Sequence, residues 1–208
     1  MSTIPNAFPI LDVRLVAPKA KSAPEKAFLQ PVIEMMTRVR SELGTAAFAF
    51  TAPNRHAGTS FIVNLVAEEL PRQFDCTVAI LPTAALKDGD PRRLPQGFIA
   101  HAPNIWTAVP DKDLGQMPDF ALQSVWINSN PENFDFILID LPALNASSQA
   151  LRWAKAGNGV LLVVEAGVTQ INQIEEAQRQ LRSAGGRLAG MILNRRTYPV
   201  PRFLYRFL

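Results

Sequence analysis

The sequence predicts an α/β fold, a single domain in which a mainly parallel sheet is flanked by helices. Three observations carry that expectation. Short apolar runs and amphipathic stretches alternate along most of the 208 residues. The runs themselves (FAF, VAIL, FILI, VLLVV, GMIL) are near-continuous, as in strands covered by helices on both sheet faces. Strand–helix alternation of this kind closes through right-handed crossovers onto an open parallel sheet.

Taken in order, residues 1–29 carry Pro5, Pro9, Pro18 and Pro24 among small and charged residues and read as a leader or linker. A helix is expected from Pro31 to Leu43, where Val32, Ile33, Met36, Val39 and Leu43 recur near helical spacing. Strands are expected at 46–51, 77–82, 104–109, 135–140, 159–165 and 188–193, with helices at 59–71, 117–129, 147–156 and 170–184 between them. Segment 83–103 is polar and punctuated by Pro and Gly. It reads as an irregular excursion, either a functional loop or a surface insertion. The packed domain is thus expected to span 30–197, followed by an aromatic and basic tail at 198–208.

Composition narrows the class. Hydrophobic residues make up 48% and charged residues 19%, a globular balance with enough chain to bury a core. No apolar run is long enough to span a bilayer, and the N-terminus lacks the basic and apolar regions of a signal peptide, so a cytoplasmic location is expected. A lone cysteine, Cys76, precludes an internal disulfide, fits a reducing compartment and reads as a small buried hydrophobe. Net charge is +3 but uneven: no acidic residue follows Glu176, whereas Arg179, Arg182, Arg187, Arg195, Arg196, Arg202 and Arg206 do. Such an end either meets an anionic partner or solvates its own helix.

Two segments carry chemistry. Residues 46–70, AAFAFTAPNRHAGTSFIVNLVAEEL, read as a buried strand, a turn-rich loop and an amphipathic helix, the arrangement that places backbone amides and a helix dipole against a phosphate. A phosphate-binding loop ends in G-K-[ST]; Ala57-Gly58-Thr59 stands there instead, with the hydroxyl kept and the lysine absent. The second segment, Phe134-Asp135-Phe136-Ile137-Leu138-Ile139-Asp140, delivers Asp140 to the carboxyl edge of the sheet, where open α/β sheets bind ligands. From that position an aspartate holds Mg²⁺ directly or through water.

With these motifs in place the chain resembles the bacterial polysaccharide-associated tyrosine kinases, P-loop proteins related to the MinD/ParA ATPases. FDFILIDLPAL…SQA stands where that family reads like YDYVIIDTPPV…SDA, and AKAGNGVLLVVEAGVTQINQIEEAQRQLRSAGGRLAGMILNRR is similar to its closing strands and helix. Glu34, Thr37 and Arg40 fall on the family's oligomerisation helix, with Thr37 replacing an arginine. In register with P-G-E-G-K-S-T, the chain has Asn54-Arg55-His56-Ala57-Gly58-Thr59-Ser60, while Asn64-Leu65 keep the helix pattern. The resemblance implies ATP or ADP with Mg²⁺ as cofactor, Asn54 to Ser60 as the phosphate loop, and Thr59 and Asp140 as metal ligands. If the chain is active, Asp140 is the implied catalytic residue. Asn194 matches a position that contacts adenine, or else is a strand-end turn former.

The departures fall on catalytic groups. Gly58 replaces the lysine, Pro82-Thr83-Ala84 replaces a D-x-D, and Gln149 replaces an acidic residue. Phosphoryl transfer needs cations and metal set against developing charge, each often worth about 10²-fold or more, so such losses suppress catalysis further than binding. The expectation is a degenerate member, with nucleotide binding weakened or lost. It would act as a cytoplasmic regulatory subunit in exopolysaccharide synthesis or export, peripheral to the inner membrane. The implied partner is the cytoplasmic face of a membrane polysaccharide copolymerase. Glu34, Arg40, Tyr198 and Tyr205 are the expected oligomer or partner contacts, and self-association is also open. The tail favours docking over autophosphorylation, since two separated tyrosines make a poor cluster. One alternative is an active autokinase or slow ATPase with Arg55 or His56 standing in for the lysine; otherwise both are solvated loop residues. A ParA/MinD-like positioning ATPase is the third reading, opposed by the absence of any lysine between Lys26 and Lys87. No specific nucleic-acid partner is expected.

Overall fold

The computed structural model describes residues 28–86, 97–109 and 134–195. The predicted leader up to residue 27, the helix at 117–129 and the tail with Tyr198 and Tyr205 lie outside the described residues. Helix α1 spans Gln30–Leu43 and opens on Pro31, whose fixed φ suits a first turn. Leu29 ahead of it is wholly buried, so packing has begun by that residue. Strand β1 (Ala46–Thr51) leads through a loop into helix α2 (Thr59–Gln73) and strand β2 (Val78–Leu81). Strands β3 (Gly97–Ala102), β4 (Ile105–Val109) and β5 (Phe136–Asp140) follow. The chain then forms helix α3 (Gln149–Trp153), strand β6 (Gly159–Glu165), helix α4 (Ile171–Ser183) and strand β7 (Leu188–Asn194).

The strands join in the order β3-β4-β2-β5-β1-β6-β7. Every pairing is parallel except β3 with β4. The continuous apolar runs are explained by two cores, one on each face. Phe48, Phe50, Phe136 and Leu138 pack with Ile33, Met36, Ile62 and Val66 of α1 and α2. Their strand neighbours Ala47, Ala49, Ile137 and Ile139 pack on the other face with Trp153 of α3 and Leu181 of α4. Period-2 alternation therefore sorts side chains between two buried faces rather than between core and water.

Two expectations need correction. Segment 83–103 is not irregular throughout: Thr83–Ala85 forms a 3₁₀ turn, and Gly97–Ala102 is an antiparallel edge strand paired to β4. Pro103 and Asn104 close that hairpin, with Ala102 opposite Ile105 and Asn104 at a left-handed φ of 62°. An asparagine at such a turn is the overlooked signal. The helix expected at 147–156 is only Gln149–Trp153, and loops frame it on both sides.

Candidate functional site

Strands β1 and β5 are neighbours, with Phe50 in register with Asp140, so the loops leaving their carboxyl ends share one edge. The first runs from Ala52 to Gly58 and enters α2. His56 and Gly58 stand at φ 69° and 85°, either side of Ala57. Such left-handed steps can turn successive backbone N–H groups into a common concave face, a nest that suits an anion. A positive φ is uncommon outside glycine, and histidine is among the residues that adopt it more readily. Ile62 N–H donates to Gly58 O at 3.1 Å, so the amides of Thr59, Ser60 and Phe61 precede the first intrahelical bond.

Gly58 is a glycine for reasons of space as well as conformation. A Cβ there would stand 2.3 Å from Asn194 Nδ2. Asn194, at 2% exposed, reaches from the end of β7 and donates from Nδ2 to Ala57 O at 2.7 Å. Its Oδ1 accepts from Arg195 N at 2.9 Å. The position read from the sequence as the missing lysine thus has no room for a side chain. Thr59, the first helical residue, lines the cleft instead.

The same one-residue shift governs the hydroxyl. It is Ser60 Oγ, not Thr59, that donates to Asp140 Oδ2, at 2.6 Å. The left-handed glycine sets the helix start, so Ser60 lies in the first turn of α2 beside Asp140.

Asp140 is half-buried, and desolvation holds its carboxyl above the usual 3.8, with the Ser60 hydrogen bond opposing the shift. Among the described residues no cationic side chain pairs with it. Its backbone carbonyl accepts from Thr83 Oγ1 at 2.7 Å, so the segment that lacks the D-x-D carboxylates acts here as a brace. Asp140 is the one carboxylate among the described residues lining an open cleft of about 540 Å³, whose rim includes Arg55, His56, Phe61 and Ser147. Arg55 and His56 are exposed. The described residues hold no cluster of three or more His, Cys, Asp or Glu. One carboxylate and one hydroxyl suit Mg²⁺, which keeps waters and phosphate oxygens as its other ligands, and do not suit zinc.

The remaining expected residues are placed as follows. Asn54 braces the loop, donating to Gln173 Oε1 at 2.8 Å while its Oδ1 accepts from Asn145 at 3.3 Å. Gln173 belongs to the capping box at the start of α4, so the loop is tied to a second helix that the sequence reading did not connect to it. Glu34 is exposed on α1. Arg40 instead turns inward: its Nε donates to Asp135 Oδ1 at 2.9 Å, and the guanidinium lies 5.8 Å from the Phe136 ring centroid. The C-terminal arginines are partly matched within the chain, Arg179 with Glu176 at 2.9 Å and Arg195 with Glu165 at 3.0 Å.

No family model matches the chain. Over 91 residues, 42% of its length, it is 33% identical to the tyrosine-protein kinase CpsD of Streptococcus agalactiae serotype III. Over that stretch the chain is similar in sequence to a bacterial tyrosine-protein kinase. The match spans 39% of the length of that relative. Among solved structures, the chimerical protein CapA2B2 superposes with a TM-score of 0.62 at 17% identity, covering 85% of this chain and 87% of that one. The MinD cell division protein of Aquifex aeolicus superposes at 0.55 with 16% identity, covering 78% of this chain and 73% of that one. At such identities the likeness is one of fold, a MinD/ParA-like P-loop architecture. No helix among the described residues is long and apolar enough to cross a membrane.

Proposed function

We propose that this chain is a catalytically impaired member of the tyrosine-kinase relatives, one that holds a nucleotide's phosphates weakly with Mg²⁺ and works as a regulatory or interaction subunit. One observation carries the reading. The Ser60–Asp140 pair and the loop's left-handed backbone are intact, while the positions for the lysine and the further carboxylates hold Thr59, Pro82, Ala84 and Gln149. The ligand frame is kept and the charges that drive phosphoryl transfer are missing. By resemblance, the setting is exopolysaccharide synthesis or export, at the cytoplasmic face of a membrane copolymerase. Glu34, Tyr198 and Tyr205 are the residues to test for contact, with self-association as a second possibility for the same surfaces. Ser60, rather than Thr59, joins Asp140 as metal ligand.

The test is calorimetric titration with Mg-ATP and Mg-ADP beside a labelled-phosphate assay. The reading expects micromolar or weaker binding that needs Mg²⁺ and Asp140, and no label on Tyr198 or Tyr205. Submicromolar ATP affinity with labelled tyrosine overturns it. One observation favours the active alternative: Arg55 is an exposed cation on the cleft rim, with no ion pair among the described residues. Under that alternative Arg55→Ala abolishes turnover; unchanged turnover removes its support.

A further inference from the structure

We infer that Gln173, on α4 and outside the cleft lining, is a positioning residue for the phosphate loop, so that the start of α4 helps set the grip on an anion. The inference rests on the phosphate-loop reading above and adds a residue that acts on that site from a second element. The first part of the loop is held by backbone. Leu141 N donates to Phe50 O at 2.9 Å, Leu144 N to Ala52 O at 2.8 Å and Asn145 N to Pro53 O at 3.3 Å. The chain leaving β1 therefore stays zipped to the chain leaving β5 as far as Pro53. At Asn54 side chains take over. Its Oδ1 accepts from Asn145 Nδ2 at 3.3 Å, and its Nδ2 donates across to Gln173 Oε1 at 2.8 Å. The next anchor is buried Ala57, whose carbonyl accepts from Asn194 Nδ2 at 2.7 Å.

Between these two anchors stand Arg55 and His56, both exposed, with His56 at a left-handed φ of 69°. An arch of two residues pinned at each end has little freedom to relax, and the amides that follow it take their direction from it. Gln173 is itself fixed before it meets Asn54. It is the third residue of α4, and its Oε1 also accepts from Gln170 N at 3.0 Å as half of the capping box. One oxygen thus closes the helix start and anchors the loop, although Asn54 and Gln173 lie 119 residues apart. Such anchoring matters most where the lysine is missing. Affinity then depends on amides already aimed at the anion, and a loop freed from α4 would have to be ordered by the ligand at the expense of binding.

The experiment titrates Mg-pyrophosphate into the intact 208-residue chain by calorimetry, beside Gln173→Met, Asn54→Leu and the double variant. Gln173→Met keeps the side chain's length and removes the acceptor, and it should weaken pyrophosphate by about fivefold. The double variant should bind no more weakly than Asn54→Leu alone, because both changes break one contact. A second readout reports on the wild type. Pyrophosphate should shift the side-chain amide resonances of Gln173 in NMR spectra, which a residue that merely stabilises α4 would not show. Unchanged affinity in Gln173→Met, additive losses in the double variant, or Gln173 resonances that stay still through saturation each overturn the inference while leaving phosphate binding in place. If a variant does not fold, the wild-type titration decides alone. Absence of pyrophosphate binding by the wild type overturns the phosphate reading itself, and this inference with it.

Discussion

Asp135 and Asp140 flank one short strand, and the sheet treats them in opposite ways. Asp135, just before β5, accepts from Arg40 of α1 and from the Thr77 amide at 2.7 Å and hydroxyl at 3.2 Å. Asp140, at the carboxyl edge, has among the described residues only the Ser60 hydroxyl on its side chain and is desolvated besides. The amino edge closes its polar groups on one another. Among the described residues the carboxyl edge leaves a carboxylate without a paired cation beside a loop with two left-handed steps. That asymmetry belongs to open α/β sheets generally, where neighbouring loops diverge at the carboxyl edge and leave a crevice. Here it separates an aspartate engaged within the fold from one that lines an open cleft.

The largest way to break the comparison is at the loop. Gly58→Lys should cost about 3 kcal/mol or more in denaturant unfolding, from the left-handed backbone and the collision with Asn194. Thr59→Lys should change stability by less than about 0.5 kcal/mol, as surface substitutions usually do, and tighten pyrophosphate by about tenfold or more. If Gly58→Lys were the better tolerated and the tighter binder, the register assigned to this edge would be wrong. Next, Asp135→Ala should lose about 2–4 kcal/mol by urea unfolding, since Arg40 and the Thr77 amide lose their acceptor. A loss no larger than that of a surface substitution would erase the contrast between the two edges.

Asp140→Asn should do the reverse, gaining up to about 1 kcal/mol at pH 7 while abolishing the Mg²⁺-dependent part of nucleotide binding. The sign follows from the carboxyl's position above its ordinary 3.8. The folded state keeps that proton over a window where the unfolded chain has released it. The contribution of Asp140 to stability therefore falls as pH rises through the window. The gain of Asp140→Asn over wild type should accordingly shrink as pH is lowered into the carboxylate range. Thermal unfolding of both proteins across that range checks it, and a gain that grows on acidification contradicts it. The smallest effect concerns Cys76 at the closed edge, where burial, with Asp135 adding to it, pushes the thiol up to about 11. A thiol reagent at pH 8 should react only as fast as the protein unfolds; rapid modification of native protein would show that this edge is open.

Much of the fold was legible because apolar runs and helical spacing are local signals. The strand at 159–165 matched to the residue, and β5 began one residue late because Asp135 serves as its anchor. The hairpin of β3 and β4 was hidden because its turn is a single Pro-Asn step inside a polar stretch. Asp140 and the loop could be singled out in the sequence because strand ends and turn residues are local signals, and both line the same cleft. The Ser60–Asp140 contact left no mark in the sequence, since it depends on where the left-handed step starts the helix. The pairing of Arg40 with Asp135 offered no signal in the sequence, because only the approach of β5 supplies that carboxylate.

By itself, then, the sequence determined the layered α/β architecture and which residues follow β1 and β5, no lysine among them. Those depend on residue type and periodicity along the chain. Tertiary structure decided that Ser60 serves Asp140, that Gly58 is glycine because Asn194 fills its space, and that Asn194 supports the loop. Each is a contact between segments far apart in sequence, Asn194 and Ala57 being 137 residues apart. Such contacts exist only once the sheet has set its strands side by side.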